Sequence, residues 1–365
     1  DGAGFSRGRM SAFTRAATAR AAHCSEGAIA VAFEIQENVD LRPYNSFGVS
    51  QMAAYFAKIQ DSADLRQARE FAASKRLSVL VLGQGSNTLF INNYPGLVLY
   101  MSNRGRAILP GAGMLRAAAG ENWHELVIFC LQNSLYGIEN LALIPGTVGA
   151  APIQNIGAYG VELEQFFVEL EAFDLKTGEI RHMSKADCQF AYRDSIFKQD
   201  PGLKLVVLSV TLQLCLEPTV ELGYPGLADA LVGQKVTPHS VFDAVCAIRS
   251  SKLPDPKLVG NAGSFFKNPL ISRSKLASLR EAYPELPAWD TKDADLVKVP
   301  AAWLLDKKGW KGRQRGGAAV HGEHALVLVN RDNASGEDVV LLAQEMSSSI
   351  LQAFGIALQS EVRII

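Results

Sequence analysis

Helical spacing of apolar residues recurs in four segments of the chain. In the first, Leu65, Ala68 and Phe71 fall on one face behind Asp61 and Ser62, either of which can cap a helix. The other segments begin or end at residues typical of helix boundaries, such as serine, glycine and proline. The predicted helices span 60–76, 122–132, 240–251 and 335–355, with Ser240 and Ser335 as the caps of the last two.

Alternating or β-rich apolar runs predict strands between and after these helices. They span 77–82, 168–175, 179–183, 203–214, 324–330 and 357–364. The second and third runs flank Lys176, Thr177 and Gly178, which indicates a hairpin. Every second residue from Val206 to Leu212 is apolar, which predicts one buried face. Because helices and strands do not alternate strictly, the pattern predicts an α+β fold.

Composition narrows the classes of partner. The chain has 365 residues, of which 48% are hydrophobic and 20% charged, enough for a large core and two or three domains. A formal net charge of -1 favours neither nucleic acid nor an anionic membrane, so an anionic ligand must be met by local basic residues. Five cysteines without a C-x-x-C pair argue against a disulfide framework and a zinc site. No apolar run is long enough to predict a membrane span.

The N-terminal segment differs from the rest. Residues 1–39 contain many alanines, serines and arginines, with a single acid before Glu26. This composition resembles an organellar targeting segment, although a translated upstream region or an artefact of expression would look the same. We expect this arm to take no part in the chemistry. The proline-rich turn at 253–256 is the best internal domain boundary.

Two glycine-rich stretches could bind a cofactor. The first, 81–88, follows a predicted strand, and its glycines would let backbone amides approach a phosphate beside Ser86 and Asn87. It lacks the third glycine of a dinucleotide fingerprint, so a Rossmann fold is disfavoured. The second, 144–160, is rich in glycine and alanine and nearly uncharged, which suits a backbone lying against a large ligand. The alternatives to cofactor binding are a tight turn after the strand for the first stretch and a buried crossing between elements, packed through small residues, for the second.

Three isolated polar residues are candidates for chemistry, each with a structural alternative. Arg193 lies among aromatic residues and could bind a substrate carboxylate or simply pair with Asp194. Ser264 stands between small residues and two phenylalanines and could be a shielded hydroxyl or a turn or N-cap serine. Glu361 lies in a predicted C-terminal strand, where a glutamate is usually solvated.

Basic residues between 307 and 317 form a glycine-containing loop. This loop could bind a diphosphate, but a loop that is simply exposed to solvent has the same composition. His321 and His324 have no nearby grouping of metal-ligating residues, so we expect surface or packing roles and no metal site.

Taken in order, these stretches resemble the UDP-N-acetylenolpyruvoylglucosamine reductases of peptidoglycan precursor synthesis. The resemblance runs from residue 41 to the C-terminus and is most specific at 157–163, 192–197 and 261–269. It implies a two-part FAD-binding domain of the vanillyl-alcohol-oxidase (PCMH) type at 40–253. A substrate-binding domain at 254–355 and a C-terminal strand at 356–365 carrying the catalytic glutamate would follow, with no counterpart for the arm at 1–39.

The resemblance also implies site residues. Arg193, Ser264 and Glu361 match the catalytic positions. The substrate-contact positions are Tyr159, Tyr224, Lys252 and Asn268, although Pro225 and Gly226 replace a familiar Gly-Asp pair after the tyrosine. The expected cofactor contacts are Gly83, Gly85, Ser86, Asn87, Thr88, Pro145, Gly146, Thr147, Gly149, Ala150, Asn155, Gly157 and Ala158.

The implied reaction has two halves. NADPH gives hydride to a non-covalently bound FAD, and the flavin then reduces an enolpyruvyl nucleotide sugar while Ser264 supplies a proton. Arg193 and Glu361 would bind the substrate carboxylate. The expected partners are this small molecule, with neither nucleic acid nor membrane, and the expected form is a cytoplasmic monomer. The alternatives are an oxidase of the same fold, which needs no NADPH, and an inactive nucleotide-sugar binding protein, which carries no flavin.

Overall fold

The computed structural model of the chain describes residues 33–200, 202–224 and 226–365, in which helices lie between groups of mostly antiparallel strands. The helices are α1 (Ser62–Lys75), α2 (Trp123–Gln132), α3 (Lys185–Cys188), α4 (Ile196–Gln199), α5 (Leu227–Ala230), α6 (Pro238–Lys252), α7 (Arg273–Ala282), α8 (Ala301–Lys307) and α9 (Gly336–Phe354). The strands are β1 (Ile35–Asp40), β2 (Met52–Ile59), β3 (Val79–Leu82), β4 (Thr88–Leu89), β5 (Tyr94–Met101), β6 (Arg106–Ile108), β7 (Met114–Ala118), β8 (Gly157–Ala158), β9 (Val161–Glu162), β10 (Phe167–Asp174), β11 (Ile180–Ser184), β12 (Leu205–Gln213), β13 (Gly260–Ser264), β14 (Leu270–Ser272), β15 (Trp289–Asp290), β16 (Leu296–Lys298), β17 (Gln314–Arg315), β18 (Ala318–Val320), β19 (Val327–Asn330) and β20 (Arg363–Ile364).

The first sheet has the order β1-β2-β5-β3, with β2, β5 and β3 parallel and β1 antiparallel at the edge. Helix α1 connects β2 to β3; the helix and the strand after it were predicted, whereas β2 was not. The Asp61 carboxylate accepts hydrogen bonds from the first turn of this helix, and Arg76 closes it in a left-handed conformation. Leu65 and Ala68 are fully buried on its inner face.

The second sheet is antiparallel, in the order β11-β10-β12-β7-β6. The predicted hairpin is confirmed, because β10 and β11 pair around a turn in which Gly178 has φ +82°. Strand β12 differs from the prediction of one buried face. Leu205 and Val207, on the face opposite Val206 and Val210, line a cavity, so both faces of the strand are covered.

The C-terminal part contains the antiparallel sheets β13-β19-β18-β17 and β14-β16-β15, packed with α7, α8 and α9. The prediction for α9 is confirmed. Ser335 caps it in a capping box with Asp338, and Gly355 ends it with φ +65°. Phe47 and Leu89, which lie far upstream in sequence, pack into the same core. Residues 33–365 accordingly form one compact unit.

Four predicted boundaries were wrong. Residues 35–39 belong to β1 rather than to the arm, because an edge strand with exposed side chains lacks an alternating apolar pattern. Helix α6 begins at Pro238 behind the cap Thr237, whereas Ser240 is its third residue; proline suits a first position, where no N–H is needed. Residues 324–326 form a turn before β19, and the last strand is limited to β20.

Residues 1–32 of the predicted arm at 1–39 lie outside the described residues, so its targeting-like character stays a prediction. Within the described ranges, no helix is both long and apolar enough to cross a membrane.

Candidate active site

A cavity of about 1560 Å³ lies where three parts of the chain meet. Its walls come from the two glycine-rich stretches, from β12 and the end of α6, and from the segments around Ser264 and Glu361. Most of the residues predicted to carry the chemistry share this cavity. They are Gly83, Gly85, Ser86, Asn87, Thr88, Pro145, Gly146, Thr147, Gly149, Ala150, Gly157, Arg193, Ser264 and Glu361.

The loop after β3 offers free backbone donors to this cavity. The amides of Gln84, Gly85 and Ser86 donate to no carbonyl of the described residues. Gly85 has φ +61°, and a Cβ at this position would collide with the carbonyl oxygen of Tyr44. The Ser86 hydroxyl donates to the Pro145 carbonyl at 3.0 Å, which ties the two glycine-rich stretches together. Unpaired amides in a concave loop form a binding site for an anionic group.

Two other glycines are required by contacts between protein segments. A Cβ at Gly83 would lie 2.6 Å from Oγ1 of Thr147, and one at Gly149 would lie 2.5 Å from Cβ of Ala119. At these positions the alternative of small-residue packing therefore accounts for the glycine. The residues still line the cavity through their backbone.

Arg193 and Glu361 form a shielded ion pair on the cavity wall. The Nε atom of Arg193 lies 3.2 Å from Oε1 of Glu361, and the two side chains are only 19% and 17% exposed. Nη2 of Arg193 also donates to the Gly157 carbonyl at 2.5 Å. Asp194 instead accepts hydrogen bonds from the Ser195 amide and the Gln199 side chain. The partner of Arg193 is thus Glu361 and not Asp194.

The backbone of the C-terminal segment positions Glu361. Its amide donates to the Phe265 carbonyl at 2.8 Å, and its carbonyl accepts from the Asn87 side chain at 3.1 Å. Strand β20 then pairs in parallel with β4, next to the first glycine-rich stretch. Burial raises the pKa of Glu361, opposed mainly by the charge of Arg193 and then by those of Lys198 and Lys267.

Ser264 ends strand β13, where it pairs with Val327 of β19. Gly263, directly before it, has φ +70°. The alternative of an N-cap serine is therefore wrong, because no helix begins here. The Ser264 hydroxyl has no hydrogen-bond partner among the described residues and lines the cavity, so it is free to meet a ligand.

The sequence comparisons agree with this geometry. A family model described as "UDP-N-acetylenolpyruvoylglucosamine reductase, C-terminal domain" matches residues 255–365, and one described as "FAD binding domain" matches residues 53–184. The UDP-N-acetylenolpyruvoylglucosamine reductase of Pseudomonas putida is 44% identical over 332 residues, covering 89% of this chain and 97% of that protein. The reductase of Neisseria meningitidis serogroup C is 46% identical, with 90% and 96% covered.

The chain belongs to the UDP-N-acetylenolpyruvoylglucosamine reductase family. A solved structure of such a reductase from Thermus caldophilus has the same fold, with a TM-score of 0.64, 22% identity, and 91% of this chain and 99% of that one covered. The chain is an oxidoreductase with an FAD-binding α+β fold, as the sequence predicted. The predicted domain boundary after residue 253 stays a prediction.

The remaining predicted residues of this family member lie away from the cavity wall. Asn155 is fully buried, and its side chain bonds to the Ala191 carbonyl and the Glu164 amide. Ala158 lies in the β8–β9 hairpin. Oδ1 of Asn268 accepts from the Ala301 amide at 3.0 Å and so helps to start α8. These bonds show structural roles; contact with a ligand remains a prediction.

Tyr159 and Tyr224 pack against each other, with ring centroids 4.9 Å apart. Burial raises the pKa of the Tyr159 phenol, against the opposing charge of Arg249. Lys252 is exposed at the end of α6. Contact of these three residues with substrate likewise remains a prediction.

Basic residues of the loop at 307–317 form ion pairs with surface acids, and this loop does not line the cavity. Lys307 bonds to Glu285 and Lys311 to Asp306, and neither lysine lines the cavity. His321 and His324 accept backbone hydrogen bonds at Nδ1 from residues two further on, which is a packing role. Within the described residues, no group of three potential ligands comes together to hold a metal ion.

Among the cavity residues that the sequence did not reveal are His124 and Arg249. Nδ1 of His124 accepts from the Leu143 amide at 3.1 Å, and its ring stacks on Phe242. Arg249 has a buried Nε without a hydrogen-bond partner among the described residues, and burial lowers its pKa. In the sequence, Arg249 was marked only by its position one helical turn before Lys252, which places both residues on the same face of α6. Nothing in the pattern marked His124.

Proposed function

We propose that the chain reduces the enolpyruvyl ether of UDP-N-acetylenolpyruvoylglucosamine to a lactyl ether, with hydride from NADPH transferred through non-covalently bound FAD. The observation that carries this proposal is the convergence of Arg193, Glu361 and Ser264 on one cavity of a family member with an FAD-binding domain. The proposed setting is peptidoglycan precursor synthesis, which follows from the family to which the chain belongs.

The residues present suit FAD. Pockets for drug-sized ligands measure roughly 300–1,000 Å³, so a cavity of about 1560 Å³ has room for a dinucleotide and part of a second ligand. The free amides of Gln84, Gly85 and Ser86 would hold the diphosphate. The two glycine-rich stretches contain neither histidine nor cysteine, which supports non-covalent binding. When bound, FAD supplies the hydride chemistry, accepting from NADPH and donating to the substrate.

The side chains of this chain would supply binding and a proton. Arg193 would hold the substrate carboxylate by charge-assisted hydrogen bonds. Burial raises the pKa of Glu361, and in its protonated form this side chain would donate a hydrogen bond to the same carboxylate. The free Ser264 hydroxyl would give its proton to the substrate carbon next to the carboxylate as the lactyl ether forms.

An anaerobic experiment in two steps tests the proposal. NADPH should bleach a yellow protein, and UDP-N-acetylenolpyruvoylglucosamine should then restore the colour. Turnover of an alcohol with oxygen and without NADPH would indicate an oxidase instead. A colourless protein that cannot be reconstituted with FAD would indicate a nucleotide-sugar binding protein. Release of the flavin on acid precipitation tests the non-covalent binding.

A further inference from the structure

Two lysines approach the Arg193–Glu361 pair. Nζ of Lys198, on α4, donates to the Arg193 carbonyl at 3.1 Å, and Lys198 lines the cavity. Lys267 lies on the segment that pairs with the C-terminal tail, where its amide donates to the Gln359 carbonyl at 2.9 Å. In this antiparallel pairing Lys267 is diagonal to Glu361, which a long side chain can span.

The electrostatics agree with this placement. The charges of Lys198 and Lys267 both act on Glu361, and the charge of Lys267 also helps to lower the pKa of Lys198, after burial. Three cations therefore lie near Glu361, and two of them, Arg193 and Lys198, line the cavity.

These cations exceed the acids available to them. The acids near the cluster are Glu361, Asp194 and Glu162, against four cations once Lys298, which also lies near Arg193, is included. Glu361 is already paired with Arg193, and neither lysine ammonium comes within 4.0 Å of a carboxylate among the described residues. The ammonium groups are thus near a buried carboxyl without forming an ion pair with it. A cavity wall that holds unpaired positive charge is suited to a further anion.

We propose that Lys198 and Lys267, together with Arg193, form a three-cation site for the carboxylate of the substrate. This inference rests on the proposed function, which supplies a substrate with a carboxylate beside the reacting carbon. Two nitrogens of the Arg193 guanidinium are already bonded, one to the Gly157 carbonyl and the other to the Glu361 carboxylate. The two lysines add positive charge to this region, which favours binding of a second carboxylate beside Glu361.

Binding of two nucleotide sugars tests the assignment. The probes are UDP-N-acetylenolpyruvoylglucosamine and UDP-N-acetylglucosamine, which lacks the carboxylate. The proteins are the flavin-loaded wild type, Lys198→Met, Lys267→Met and Lys198→Arg, with Lys292→Met as control because the Lys292 side chain is 99% exposed. Dissociation constants are measured from the change in flavin absorbance, and NADPH reduction is followed separately.

Each Met variant should lose roughly tenfold or more in affinity for the enolpyruvyl sugar, as expected for a lost charge-assisted hydrogen bond. Affinity for UDP-N-acetylglucosamine, the rate of reduction by NADPH and the melting temperature should stay unchanged. Lys198→Arg should keep most of the affinity, and Lys292→Met all of it.

Three results would overturn the inference: equal losses for both sugars, a loss confined to NADPH, or no loss in either Met variant. If one Met variant fails to fold, the other decides. Failure of the wild type to convert the enolpyruvyl sugar would instead reject the proposed function, so the two failures are distinguishable.

Discussion

Arg193 and Glu361 are brought together by two backbone features. Arg193 has φ +54°, a left-handed conformation that is uncommon for a side chain of this size, and its guanidinium reaches Oε1 of Glu361 at 3.2 Å. Glu361 is held by pairing of its own segment with Phe265. Because neither side chain can leave without stranding a partly buried charge, the pair is held in place on the cavity wall.

Ser264→Ala should separate the two half-reactions. Reduction of the flavin by NADPH needs no proton from this hydroxyl and should proceed at nearly the normal rate. Reoxidation by the enolpyruvyl sugar should slow by about 10²–10⁴-fold, the usual contribution of a general acid. Stopped-flow absorbance follows both steps. Ser264→Cys should be less impaired than Ser264→Ala, and equal slowing of both steps would show that another group donates the proton.

Binding of the enolpyruvyl sugar should depend on the protonation of Glu361. Burial raises the pKa of this carboxyl, so its neutral form persists above the usual range for glutamate. As pH rises through the raised pKa, the carboxylate forms and repels that of the substrate, and affinity should fall. Glu361→Gln should remove this alkaline decline in affinity. The same decline in the variant would assign the pH dependence to another group.

Glu121 should contribute stability that is lost in acid. Its buried carboxylate accepts from the Gly105 amide at 2.8 Å and from Nε of Arg106 at 2.7 Å. Burial by itself would raise the pKa of this carboxyl, but these hydrogen bonds and the charges of Arg106 and Arg104 together outweigh burial and lower the pKa. A lowered pKa stabilises the fold above the unfolded-state pKa, and this contribution declines as pH falls through the folded-state value.

Glu121→Gln should therefore cost about 1.5–3 kcal/mol of unfolding free energy at neutral pH, and less in acid, as measured by urea denaturation. Glu70→Gln, on the exposed surface of α1, is the control and should have little effect. A cost that is independent of pH would show that the Glu121 charge is not the cause.

Strand β1 should be needed for stability. A chain starting at residue 35 keeps β1, whereas one starting at residue 41 exposes the edge of β2. The shorter chain should melt several degrees lower, since about 1 kcal/mol shifts the melting temperature of a large domain by roughly 2–4 °C. Thermal release of flavin fluorescence measures the difference. Equal melting temperatures would mean that the β1–β2 pairing adds nothing.

Local signals were sufficient for several elements. Asp61 before α1, Ser335 and Gly355 around α9, and the turn at Gly178 each act through bonds to residues a few positions away. Such bonds depend only on the sequence near them, so their pattern is visible in the chain itself. The resemblance of short motifs also identified the family and the residues that share the cavity.

Other features depended on contacts between distant segments. The choice of Glu361 over Asp194 as the partner of Arg193 follows from the pairing of the C-terminal tail with the Phe265 segment. Contacts between distant segments also cover both faces of β12 and place Arg249 and His124 in the cavity. Periodicity reports which face of an element is apolar, but not which distant segment covers it, because that depends on the path of the whole chain.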